Sequence, residues 1–192
     1  MDSFKSFLQE QVDIDVNDWA IIADKLKRVT CDKNDFLTKQ NEVESNLYYL
    51  EEGILHLYHE TDAKDITVNI AFPKSFINAY TSFLTRQASE FNLQALTKCK
   101  LISISYNDLN QIYNSTKCGH ALGRMFSERL FLYLSQRENA FMLQSPTERY
   151  LSLFEEQPRL IKEIPQKFLA SYIGITPQAL SRIRAKLQNT SS

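Results

Sequence analysis

Residues 164–187 read IPQKFLASYIGITPQALSRIRAKL, and their spacing predicts two short helices joined by a tight turn. Gly174 marks the turn, because glycine commonly ends helices and adopts positive φ without strain. Thr176 and Pro177 then suit the N-cap and the first position of the second helix. Its predicted apolar face consists of Leu180, Ile183 and Leu187. This layout is typical of helix-turn-helix modules that read the major groove of DNA.

The charge of this segment favours the same interpretation. From residue 164 onward the sequence has four Lys or Arg and no Asp or Glu, whereas the whole chain carries a formal charge of −1. A basic end on an acidic chain is expected of a module that binds phosphate. The alternative is a helical hairpin that binds another protein. The turn residues, with Gln178 and Arg182 one helical turn apart, favour DNA.

The composition indicates a globular protein, because 43% of the 192 residues are hydrophobic and 23% are charged. We expect a cytoplasmic protein, since no stretch approaches the ~20 apolar residues of a membrane span and the N-terminus lacks a signal-peptide pattern. Cys31, Cys99 and Cys118 are far apart in sequence, so reduced, mostly buried thiols are expected rather than a metal site or a cofactor. His56 and His59 are expected on the surface of a strand.

The pattern along the chain predicts helices first and then a region of short strands. Helices are predicted at 3–11 and 16–28. Strands rich in β-branched and aromatic residues are predicted at 46–50, 54–59, 66–72, 92–97 and 100–106. A helical insert is predicted at 74–87 and a short helix at 107–114. Many short strands at near-regular spacing suggest a small barrel or sandwich.

Residues 121–142 predict a long helix that is apolar on more than one side. Such a helix must be buried on more than one side. One face would pack on the barrel and another on the same helix of a second subunit, or the C-terminal region would cover it in a monomer. The predicted dimer residues are Leu122, Phe126, Leu130, Tyr133, Leu134 and Phe141. Ser145 and Pro146 would start a further helix at 147–156.

In this combination of elements the chain resembles the Crp/Fnr family of bacterial transcription regulators, and residues 164–187 look like its Bacteroidetes-type branch. The resemblance implies an α+β fold with a β-roll like a cyclic-nucleotide-binding domain, a long dimerisation helix and a terminal helix-turn-helix. The expected limits are 1–115 for the sensor domain, 116–144 for the long helix and 145–192 for the DNA-binding domain. Only QNTSS follows Leu187, so the usual wing is not expected.

The cyclic-AMP receptors of this family carry a phosphate-binding cassette with a pattern like F-I-G-E-L, followed by an Arg-Ser/Thr pair. The matching stretch here is Phe76, Ile77, Asn78, Ala79 and Tyr80, which with Arg86 and Ser89 is the predicted effector pocket. Asn78 stands in place of the Gly and Ala79 in place of the Glu. Ser89 is present, but Glu90 stands where a cation is wanted, and Arg86 lies in a different register. A buried phosphate beside a carboxylate is unfavourable, so we expect no usual response to cyclic AMP and name no effector.

The resemblance assigns base reading to Gln178 and Arg182, whose side chains can pair with adenine and guanine. Predicted contacts to the DNA backbone come from Gln166, Lys167, Ser171, Thr176, Ser181, Arg184 and Lys186. The implied partners are double-stranded DNA with a pseudo-palindromic operator and a second copy of the chain, with RNA polymerase as a further candidate. No catalytic motif is found, so an enzyme is not expected. The alternative function is a sensor of a small molecule or partner with a vestigial DNA module.

Overall fold

The computed structural model describes residues 2–190, so the predicted limits at residues 1 and 192 lie outside the described chain. The strands are β1 (Lys27–Cys31), β2 (Phe36–Thr38), β3 (Asn46–Glu52), β4 (Leu55–Glu60), β5 (Asp65–Ala71), β6 (Ser75–Ile77), β7 (Asn92–Ala95) and β8 (Cys99–Ser105). The helices are α1 (Asp2–Gln9), α2 (Val16–Lys25), α3 (Tyr80–Thr85), α4 (Tyr106–Ser115), α5 (Gly119–Leu143), α6 (Pro146–Glu156), α7 (Pro158–Glu163), α8 (Gln166–Tyr172) and α9 (Pro177–Thr190).

The strands form two antiparallel four-stranded sheets, in the orders β1-β8-β3-β6 and β2-β7-β4-β5. The predicted small sandwich is therefore confirmed. Leu50, Leu55, Leu93 and Leu101, each at most 1% exposed, belong to one apolar core shared by the two sheets. The prediction of a wholly helical insert at 74–87 is wrong at its start, because β6 pairs with β3 before α3 begins.

Helices cover the outer face of the first sheet. Phe4, Ile22, Tyr49 and Leu122 belong to a second apolar cluster that joins α1, α2, β3 and α5. The buried carboxylate of Asp18 accepts hydrogen bonds from the backbone N–H groups just before α5, those of residues 117 (3.1 Å) and 118 (2.9 Å). A carboxylate satisfies helix amino ends well, so this contact fixes where the long helix leaves the roll.

The C-terminal helices pack against the second sheet. Ile54 and Ile70 of the roll share a third apolar cluster with Leu160, Leu169 and Leu180. Because of this contact the expectation that His56 lies on a strand surface is wrong: its side chain is 1% exposed. Among the described helices, none is both long enough and apolar enough to cross a membrane.

The three cysteines are free thiols and buried. Cys31 and Cys99, distant in sequence, lie directly opposite each other on β1 and β8. Sheet register brings them together, and the spacing of cysteines along the chain carries no sign of it.

Candidate functional site

The turn between α8 and α9 is built as the sequence predicts. Gly174 has φ of 76°, in the left-handed region that favours glycine. The Thr176 hydroxyl accepts a hydrogen bond from the Ala179 N–H at 3.2 Å, so Thr176 caps α9, and Pro177 is the first residue of that helix. Leu180 of α9 is fully buried in the apolar cluster that also holds Leu160 and Leu169. The orientation of the outer face of α9 is therefore fixed by local geometry and by the core below it.

The polar face of α9 points away from that core. Gln178, Ser181 and Arg182 are exposed and share one face at spacings of three and four residues. Lys186 is exposed one turn further along. The structure thus brings both predicted base readers and two of the predicted backbone contacts to one surface.

Other residues predicted to contact the DNA backbone also make bonds within the protein. Gln166 is exposed, and its Nε2 donates to the Pro177 carbonyl at 3.1 Å, which joins the starts of α8 and α9. Lys167 is exposed beside the Phe168 ring. Arg184 is half-buried, and its Nε donates to the Tyr150 hydroxyl at 3.0 Å.

Ser171 holds α8 against the roll. Its hydroxyl accepts a hydrogen bond from the Thr67 N–H at 2.8 Å and donates to the Asp65 carbonyl at 3.0 Å. These backbone groups belong to β5, an edge strand of the second sheet. Unpaired groups at a sheet edge need partners, and a helix hydroxyl supplies them here. In this arrangement Ser171 contacts the roll.

His56 lies beneath the contact between α8 and β5. Its ring centroid is 4.5 Å from that of Phe168 in α8, and its Nε2 is 2.9 Å from the Thr67 hydroxyl. Within the described chain, Nδ1 is buried and has no hydrogen-bond partner. Burial, with a smaller contribution from the charge of Lys167, lowers the pKa of His56 to about 4. The contact between roll and α8 therefore requires a neutral imidazole.

Apolar and amide side chains fill the predicted effector segment. Phe76 packs between Tyr49 and Phe126, at ring distances of 5.1 and 4.6 Å. Asn78 is buried, and its Nδ2 donates to the Asn46 carbonyl at 3.0 Å. Ile77 and Ala79 are buried and Tyr80 is half-buried.

Glu44 lies at the amino end of α3, and sequence reasoning missed it. Its carboxylate, 1% exposed, accepts hydrogen bonds from the Thr38 hydroxyl at 2.6 Å and from the N–H groups of Asn46 at 3.0 Å and Ala79 at 3.4 Å. Burial is the main cause that raises the pKa of Glu44. Glu44 is one acidic residue in a polar stretch, so no sequence signal marks it.

The remaining predicted effector residues are bonded inside the domain. Arg86, itself at φ of 60°, donates from one terminal nitrogen to the Glu44 carbonyl at 2.7 Å and to the Phe83 carbonyl at 3.1 Å. The Ser89 hydroxyl donates to the Phe91 carbonyl at 2.8 Å and accepts from the Phe91 N–H at 2.9 Å. The polar groups expected to contact a ligand thus have partners within the chain.

The long helix α5 has one covered face and one uncovered face. Leu122 is buried and Phe126 half-buried against the helical cluster, and the Tyr133 hydroxyl donates to Asn69 at 2.9 Å. Leu130 is half-buried. Other positions of α5 carry Phe131 (70% exposed), Leu132 (59%), Leu134 (52%), Met142 (72%) and Leu143 (79%), whereas Phe141 (43%) contacts Arg137, Arg149 and the turn at Gly174. This chain alone therefore leaves a large apolar surface in water.

Comparison with known proteins agrees with this architecture. The sequence model described as the cyclic nucleotide-binding domain matches residues 28–116. No curated protein sequence is significantly similar to the chain. Among solved structures, the c-di-GMP responsive global regulator CLP of Xanthomonas campestris is similar at a TM-score of 0.68 and 19% identity, over 92% of this chain and 93% of that one.

Two further structures have the same fold. FixK2 of Bradyrhizobium japonicum gives a TM-score of 0.73 at 10% identity, over 86% of each chain. A protein of Eubacterium rectale described as a transcriptional regulator of the Crp/Fnr family gives 0.71 at 17% identity, over 93% of this chain and 85% of that one. Residues 28–116 therefore match the cyclic nucleotide-binding domain, and the chain shares the fold of the solved regulator of the Crp/Fnr family.

Proposed function

We propose that this chain is a homodimeric transcription regulator that binds double-stranded DNA through α8 and α9. The observation that carries the proposal is the exposed face of Gln178, Ser181 and Arg182 on a capped helix, in a segment without acidic residues. Residues 1–115 would form the sensor domain, 116–144 the dimer helix and 145–192 the DNA-binding domain. A protein that acts on the bacterial chromosome would work in the cytoplasm, and RNA polymerase is a candidate partner there.

The uncovered apolar face of α5 supports the dimer. A second copy of the same helix is a partner of matching shape and chemistry, and twofold contacts are the commonest in oligomers. Phe131→Asp should then convert the protein to monomer in sedimentation. Val16→Asp is the control, because Val16 is 83% exposed on α2, outside the proposed seam. A dimer that survives Phe131→Asp contradicts this interface.

Twofold symmetry would place two copies of α9 on one side of the dimer. Arg182 can donate two parallel hydrogen bonds to guanine, and Gln178 can pair with adenine. The expected operator is pseudo-palindromic, with half-sites one DNA turn, or ~34 Å, apart. Lys186, Lys167 and Gln166 would contact phosphates.

The proposal includes a roll that does not respond to cyclic AMP in the usual way. An entering cyclic phosphate would meet the buried Glu44 carboxylate beside Ala79, and two neighbouring anions without a paired cation are unfavourable. The Arg86 guanidinium is already committed to backbone carbonyls. Calorimetric titration with cyclic AMP should give no heat of binding, and micromolar binding would overturn this part.

DNA binding is tested by fluorescence anisotropy with DNA from upstream of the chain's own gene. Arg182→Ala should cost about 1–3 kcal/mol and relax the preference at one base pair. Lys186→Ala should weaken binding to all sequences alike, and the slope of log affinity against log salt concentration should become shallower by about one. Lys33→Ala removes an exposed cation from the roll and is the control. If the two α9 variants behave alike across sequences, the assignment of Arg182 to base reading and of Lys186 to phosphate contact is wrong.

The second candidate is a sensor of a small molecule or partner with a vestigial DNA module. The bonding of Ser171 to β5 and of Arg184 to Tyr150 favours it, because both side chains are then withheld from phosphate. A stable dimer that binds the upstream DNA no better than unrelated DNA would support this candidate.

A further inference from the structure

Two arginines join the long helix and α6 to the end of α8. Arg149, in α6, donates from Nε to the Ile173 carbonyl at 3.0 Å and from a terminal nitrogen to the Gln144 carbonyl at 2.6 Å. Arg137, in α5, donates to the Tyr172 carbonyl at 3.4 Å, and its guanidinium lies 4.1 Å from the Tyr172 ring centroid. Carbonyls at a helix C-terminus lack intrahelical partners, so cations stabilise them.

Phe141 fills the space between these arginines and the turn. Its ring centroid lies 4.8 Å from the Arg149 guanidinium and 5.5 Å from that of Arg137. A Cβ built on Gly174 would be 2.6 Å from the Phe141 Cε1 atom, closer than real contacts allow. The ring therefore packs directly on the backbone of the turn.

Among the described residues, no acid neutralises either arginine. Within residues 2–190, neither guanidinium forms an ion pair with a carboxylate. Both are half-buried and line the same cleft between α5, α6 and α8. Their hydrogen bonds to the end of α8 thus take the place of ordinary ion pairs.

We infer that Arg137, Phe141 and Arg149 are positioning residues that fix the angle of α9 relative to the long helix. The inference rests on the proposed function, in which α5 holds two copies of the chain together. We call these three side chains the clamp. If the clamp fixes α9 relative to α5, it also fixes the separation of the two copies of α9 in the dimer. The clamp then determines which half-site spacing the dimer accepts, although none of its residues contacts a base.

The first test needs no DNA. In Arg149→Gln, hydrogen exchange of the Gly174 and Ile175 amides should be about tenfold faster. The reason is that the charge-assisted hydrogen bond from Arg149 to the Ile173 carbonyl is lost. Arg149→Lys should restore part of the protection, since an ammonium can reach one carbonyl but lacks the planar fork. Arg28→Gln is the control: it makes the same charge change at an exposed position of β1, outside α5, α6 and α8.

The second test measures binding to palindromes whose half-sites are moved together or apart by one and two base pairs. Wild type and Arg28→Gln should prefer one spacing about tenfold or more, and Arg149→Gln should lose most of that preference while the helical circular dichroism is retained. Unchanged exchange, or faster exchange with an intact spacing preference, overturns the inference. If wild type binds no DNA, the proposed function fails, and the exchange result alone decides whether the clamp exists.

Discussion

Replacing Gly174 with alanine should destabilise the protein and weaken DNA binding, although it adds only one methyl group. The position has φ of 76°, where an L-residue is strained. The added Cβ would also meet the Phe141 ring at 2.6 Å. Both effects act in the folded state at the turn that orients α9.

The expected magnitude follows from these two contributions. The left-handed conformation costs roughly 1–2 kcal/mol for a residue with a Cβ. Because Phe141 is 43% exposed, its ring can swing into water, which relieves the clash but loses its contacts with Arg137 and Arg149. That loss adds about 0.5–1 kcal/mol, so the free energy of unfolding should fall by about 1.5–3 kcal/mol.

Urea denaturation of Gly174→Ala measures this directly, and Gly123→Ala is the matched control. Gly123 lies inside α5 without positive φ, and its added Cβ would meet Tyr113 at an ordinary 3.6 Å. That control should therefore be stabilised by about 0.5–1 kcal/mol. In a Phe141→Ala background the cost of Gly174→Ala should shrink to the conformational part alone.

Two results would refute this reasoning. A Gly174→Ala protein as stable as wild type would mean that the turn is not held at the observed φ. An unchanged cost in the Phe141→Ala background would mean that the ring does not pack on the turn, and the proposed clamp would lose its central contact.

Other predictions concern the cap, the buried histidine and the buried acid. Thr176→Ala should lower the free energy of unfolding by about 1 kcal/mol through loss of the α9 cap, measured by urea denaturation. The pKa of His56 falls to about 4 from its ordinary 6.5, so between these values only the unfolded chain binds a proton there. The free energy of unfolding should therefore drop by up to about 3 kcal/mol as the pH falls through that window. In His56→Phe the drop should be smaller, and equal pH profiles of the two proteins would contradict the assignment of this drop to His56. Glu44→Gln should cost about 1–3 kcal/mol at neutral pH, since its amide group cannot accept from every donor that faces the carboxylate, whereas exposed Glu42→Gln should change little.

Local signals predicted the helix ends well. Gly174, Thr176 and Ser145 act through backbone groups within a few residues, so their roles can be read from neighbouring sequence. Ser145 indeed caps α6 in a reciprocal capping box with Glu148. The strands of seven residues, such as β3 and β8, were also predictable from their β-branched and aromatic content.

Features that depend on tertiary contact escaped prediction. The three-residue strands β2 and β6 are too short to show a periodic pattern. His56 is buried only because α8 folds over it, and Glu44 gathers donors that include Ala79, distant in sequence. The exposed face of α9 could be predicted from spacing, but the bonds of Ser171 to the roll could not.

The most direct test of the proposed reader helix is selection from a random DNA library by the purified wild-type protein, with Arg182→Ala in parallel. Wild type should enrich a pseudo-palindrome with half-sites one helical turn apart, and Arg182→Ala should lose selectivity at one symmetric pair of positions. Enrichment of no sequence by wild type, or an identical motif from both proteins, would contradict the claim that this face of α9 reads bases.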